Sequence, residues 1–205
     1  MTLPSLLRHV GANIPRGVTV DGRVLTGHAA VAAVAAHVAT SVVPHTFHGG
    51  DQPDLADAGA PEGPYALAWW NTYPAARDAD VAAVAAAFPG FRYDGAGGGH
   101  WFEGVIDTGR GRFRVAVVGN PDGGLPHLVP VQPRGLGRHE GGGFRRPEHM
   151  YTNGNLCVAA TADWNRGEHN TVTAIAWAAH WYGVYTDWRL GGPWPAEGYR
   201  PDAAA

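Results

Sequence analysis

His149-Met150-Tyr151-Thr152-Asn153-Gly154-Asn155-Leu156-Cys157 contains the only cysteine of the chain, and Trp164 stands seven positions beyond it. A single cysteine forms neither an internal disulfide nor a multi-thiolate zinc site, which leaves a buried inert thiol or a nucleophile. Asn153-Gly154 is a turn dipeptide, because both residues tolerate the left-handed backbone region, and it delivers the chain into the short apolar run 156–159. A turn there puts the thiol at the end of a structured segment, close to exposed backbone amides. Such amides stabilise an acyl-transfer oxyanion when they point at the reacting carbonyl. The thiolate is an intrinsically good nucleophile, and its thioesters react readily with amines.

The segments around this stretch have a definite order. Upstream, 18–25 reads as a hairpin about Asp21-Gly22, 28–40 as a helix striped by Val31, Val34, Ala35 and Val38, and 49–64 as a Gly/Pro/Asp-rich loop. A helix is predicted over 78–88, capped by Asp78 or Asp80, striped by Val81, Val84, Ala85 and Phe88, and stopped by Pro89-Gly90. Strands follow at 101–107, 112–118 and about 125–131, with short turns between them that imply an antiparallel meander. The glycines of 134–146 argue against regular structure. A long helix over 170–188 carries apolar residues on two sides, Val172, Ile175, Ala176 and Ala179 on one and Trp177, Trp181, Val184 and Trp188 on another. It must be buried or meet a partner.

Helix, meander, cysteine segment and helix, together with the motif itself, resemble the ubiquitin-conjugating enzymes and especially their divergent bacterial members. In that family a His-Pro-Asn tripeptide precedes the cysteine, an Asn-Gly-x-Ile/Leu-Cys segment follows, and a tryptophan comes shortly after. Here 153–157 fits the middle element, Trp164 fits the last, and Pro147-Glu148-His149 occupies the place of the tripeptide, with His149 where the family has its oxyanion-stabilising asparagine. A histidine can also donate a hydrogen bond to an oxyanion or shuttle a proton. The Gly191-Gly192-Pro193-Trp194-Pro195 close is similar to the tails of bacterial members.

The resemblance implies an α+β ubiquitin-conjugating-like fold over 73–205, with 1–72 an N-terminal extension of no assigned role. It implies a transferase that carries a modifier or protein C-terminus as a thioester on Cys157, with His149, Asn153 and Asn155 as polar support and Asp163 to orient or deprotonate the amine. The implied partners are an adenylating activating enzyme, a ubiquitin-like modifier or protein C-terminus, and an acceptor protein, which in antiphage systems can be a nucleotide second-messenger synthase; no cofactor is implied. Two other readings remain open: a catalytically silent binding scaffold, and a cysteine hydrolase pairing Cys157 with His149 or His169.

Composition limits the alternatives. The 205 residues are 45 % apolar, enough for one well-packed domain, and the net charge of −3 offers no general attraction to nucleic acid. No run of eighteen apolar residues and no leader-like start is present, so no membrane partner is expected and the cytoplasm is the expected location. Arg110, Arg112 and Arg114 alternate as a solvated strand face would, and all fifteen basic residues are arginine, in keeping with the alanine and glycine bias of a GC-rich genome. His45-x-x-His48 lacks further ligands at a recognisable spacing, so no metal is expected. Gly95–Gly99 lacks the Gly-Lys-Ser/Thr ending of a phosphate loop and reads as a connector.

Overall fold

In the computed structural model, residues 16–19, 23–37, 39–41 and 67–194 are described. The N-terminal strands β1 (Arg16–Thr19) and β2 (Val24–Thr26) pair antiparallel as the hairpin reading expects; the Asp21-Gly22 turn lies outside the described residues. Helix α1 (Gly27–Ala35) is shorter than the 28–40 expectation. His37 enters the left-handed region at φ 57°, and Ala39–Ser41 becomes β3, which pairs with β1 in a sheet of order β2-β1-β3. Strand pairing here overrides the helical propensity of an alanine-rich run. The 49–64 loop and His45-x-x-His48 fall outside the described residues.

Helix α2 (Trp69–Thr72) leads into α3 (Pro74–Ala87), which starts earlier than predicted because Pro74 sits in its first turn, where a missing N–H costs nothing. Asp78 and Asp80 therefore lie inside α3, and neither caps it. Of the expected stripe, Val84 and Phe88 are buried, Val81 is half-buried and Ala85 is exposed.

The main sheet has the order β4-β5-β6-β7, formed by β4 (Arg92–Asp94), β5 (Trp101–Asp107), β6 (Arg112–Val118) and β7 (His127–Gln132), all antiparallel. β5 and β6 match their predicted bounds, and alternation explains both: Phe102 and Ile106 on β5 and Phe113, Val115 and Val117 on β6 turn inward. Gly104 keeps that inward row because the Phe91 ring fills the place of its side chain, 2.5 Å from where a Cβ would sit. On the outer face Arg114 pairs with Glu103 and Arg112 lies 3.8 Å from Asp107, so those arginines form a solvated face. The 134–146 stretch is not irregular: β8 (Arg138–Glu140) and β9 (Gly143–Arg145) form a hairpin. Gly141 and Gly142 at φ 60° and 82° supply the mirror-image turn such hairpins favour.

Helix α4 (Thr171–Arg189) runs through the core. Phe113 stacks on Tyr182 at 4.5 Å between centroids, Trp181 stacks on Tyr185, and Val18 of β1 joins the same apolar cluster. Each fully buried side chain of this size contributes roughly 1.5–3 kcal/mol. Asn170 caps the first turn reciprocally with Thr173. At the other end Arg138 donates to the carbonyls of Trp188 and Gly192 at 2.6 and 2.9 Å and lies over the Trp188 ring, which fixes the exit of the chain. No helix among the described residues is long and apolar enough to cross a membrane.

Candidate functional site

The cysteine segment is a narrow hairpin. Tyr151 N–H donates to Asn155 O at 2.9 Å, Cys157 N–H donates to His149 O at 3.1 Å, and Met150 bridges Leu156 between them. Asn153 Oδ1 accepts the Asn155 N–H at 3.0 Å and Gly154 takes φ 90°, so the Asn-Gly pair does close the turn. Leu156 N–H donates to Leu128 O at 2.9 Å, which ties the hairpin to β7. Trp181 Nε1–H donates to the same His149 carbonyl that Cys157 uses, at 2.9 Å, so α4 holds the site from beneath.

This register puts the side chains of His149, Tyr151, Asn155 and Cys157 on one face, with period two along each arm. Cys157 has 0 % exposure, and its Sγ–H points toward Ala159 O at 4.0 Å. The Tyr151 hydroxyl meets the Cys157 sulfur. Burial first, and then that sulfur, push the Tyr151 phenol above its ordinary value, so it stays protonated at physiological pH and can donate. Tyr151 was missed from sequence; pairing residues symmetrically about Asn153-Gly154 would have found it as the diagonal neighbour of Cys157.

The expectation of free backbone amides does not hold for 154–157. Gly154 N–H donates to Tyr151 O and the next three are engaged as described, so none of the four is left for an oxyanion. His149 is 8 % exposed with φ 58°, and its ring packs on Trp194 at 5.5 Å. Asn153 is exposed and Asn155 half-buried. Asp163 Oδ2 accepts the Ala160 N–H at 3.2 Å and closes the short 3-10 turn Thr161–Asp163. Trp164 is a packing residue, its ring edge-on to Trp177 and its Nε1–H on Gly123 O. His169 belongs with Trp164 and Trp177 near the start of α4.

An α+β protein whose lone cysteine sits in a closed hairpin on a tryptophan-rich helix is the class these features define. A family model described as Type II CBASS E2 protein matches residues 80–201, a span that includes the meander, the cysteine hairpin and α4. The chain belongs to that family of bacterial, ubiquitin-conjugating-like antiphage proteins. No curated protein and no solved structure matches it.

Proposed function

We propose that the chain is the conjugating component of an antiphage system, taking a ubiquitin-like modifier or another protein C-terminus from an adenylating activating enzyme as a thioester on Cys157. In that step the sulfur attacks the adenylated carbonyl, AMP leaves, and the thiol proton goes to a neighbouring base. An acceptor amine then attacks the thioester and the thiol is regenerated. What carries this reading is the hairpin that seats Cys157 opposite His149, inside the span shared with the family. Tyr151 holds the sulfur, and His149 is the proton carrier or oxyanion donor nearest in register. Asn153 shapes the turn, Asn155 shares the reactive face, and Asp163 orients the loop that follows. An acceptor such as a nucleotide second-messenger synthase fits the family context.

A sulfur with no exposed surface cannot reach a carbonyl, so charging requires the packing over Cys157 to open. That same burial favours a second reading, a binding scaffold that does not use its cysteine. Incubation with the activating enzyme and modifier separates the two. A thiol-sensitive adduct that is absent from Cys157→Ala supports the transferase. No adduct with an activating enzyme that is itself charged supports the scaffold, and modifier release without an adduct points to a cysteine hydrolase.

A further inference from the structure

Away from the cysteine, a cleft of about 310 Å³ opens between α2, the turn after β6 and the start of α4. That volume is at the lower end of small-molecule sites, roughly 300–1,000 Å³. Trp181, which holds the cysteine hairpin, is ten residues along α4 from Thr171, which lines the cleft, so the two sites are about 15 Å apart along the helix.

The walls are aromatic. Trp69 and Trp164 are half-buried and line the cleft, and the His169 ring packs on Trp164 at 5.4 Å. Between them the polar groups are donors in excess. Arg166 lies 5.9 Å over the Trp69 ring and donates to the Asp122 carbonyl, and it has no carboxylate partner among the described residues. His169 accepts the Asn165 N–H at Nδ1, which places the proton of the neutral ring on Nε2, a donor with no protein acceptor among the described residues. The half-buried Asn120 amide likewise has no hydrogen bond among the described residues.

The one carboxylate that lines the cleft, Asp80, is already saturated. It takes the Thr171 N–H at 3.0 Å, the Thr171 hydroxyl at 2.7 Å and His100 Nε2 at 2.9 Å, so its oxygens are engaged there and it makes no ion pair with Arg166 among the described residues. His100 is 2 % exposed, and its Nδ1 has no hydrogen bond among the described residues.

Two indoles suit a flat ring, an unpaired guanidinium suits an anion, and an amide beside them suits the polar edge of a heterocycle. We propose that this cleft binds a planar heteroaromatic anion of the size of a nucleoside monophosphate, with the base between Trp69 and Trp164, its edge on Asn120, and the phosphate on Arg166 and His169.

The test is intrinsic tryptophan fluorescence of the full chain titrated with AMP and with adenosine, repeated by calorimetry. Saturable quenching by AMP is expected, with adenosine about tenfold weaker and Arg166→Gln weakening AMP about tenfold, the consequence of losing one charge-assisted contact. Arg166 is exposed, so this variant should fold; Asn120→Ala provides a second arm, expected to weaken AMP and adenosine alike. No saturable change up to about 10 mM AMP, about ten-thousandfold beyond a micromolar site, overturns the proposal. So does equal affinity for AMP and adenosine, or an unchanged affinity in Arg166→Gln. None of these readings involves Cys157.

Discussion

Asp80→Ala should be the most destabilising polar substitution in the chain, and its magnitude follows from the contacts. Asp80 lies on α3, yet its carboxylate accepts the first N–H of α4 together with the Thr171 hydroxyl and His100 Nε2, all in a buried setting. Alanine would strand three buried donors. Breaking a buried charged network by removing one partner costs about 3–5 kcal/mol, a large part of a typical stability of about 5–15 kcal/mol. For a chain of this size that is roughly 6–20 °C in Tm. Burial alone would raise the Asp80 carboxyl, but the hydrogen bonds from His100 and Thr171 outweigh it and hold the pKa below its ordinary value. A group depressed in the folded state stabilises above the unfolded carboxyl value of about 3.9 and loses that contribution as pH falls through the folded value. Urea unfolding followed by circular dichroism should therefore show the full gap between wild type and Asp80→Ala at pH 7, and a narrowing gap in acid. A loss under about 1 kcal/mol at pH 7, the worth of a single ordinary hydrogen bond, or a gap that stays constant in acid, refutes the reasoning.

Trp181→Phe removes the indole N–H from the His149 carbonyl; it should cost about 1–3 kcal/mol and speed alkylation of Cys157 by iodoacetamide in the native protein. Tyr151→Phe should cost about 1 kcal/mol in chemical denaturation while leaving far-ultraviolet circular dichroism unchanged. Gly104→Ala drives a methyl into the Phe91 ring and should destabilise by about 1–3 kcal/mol, read as a lower Tm.

How much was legible depended on whether a signal was local. β5 and β6 were readable to the residue because strict alternation marks a half-buried strand, and α4 was readable because apolar residues on two faces demand burial. β4 was missed: all three of its residues are exposed, so it carries no alternation. The β8–β9 hairpin was missed because Gly141 and Gly142 read as breakers, although paired positive-φ glycines are also what a tight hairpin turn requires. Asp80 looked like a cap of its own helix and instead caps α4, ninety-one positions away, a pairing visible only in three dimensions. The burial of Cys157 was equally hidden. Apolar flanks at Leu156 and Val158 describe the chain, whereas the cover over the sulfur is tertiary.

The left-handed backbone at His149 bears on how the position can be varied. Asparagine, aspartate and histidine are the side chains most at ease at positive φ, apart from glycine. The histidine found here and the asparagine expected from the resemblance thus meet one conformational demand by different chemistry. Exchanging them leaves the turn geometry of the hairpin intact. His149→Asn thus keeps the backbone demand while changing the side chain's chemistry and its packing on Trp194, whereas a β-branched residue at 149 would add backbone strain as well.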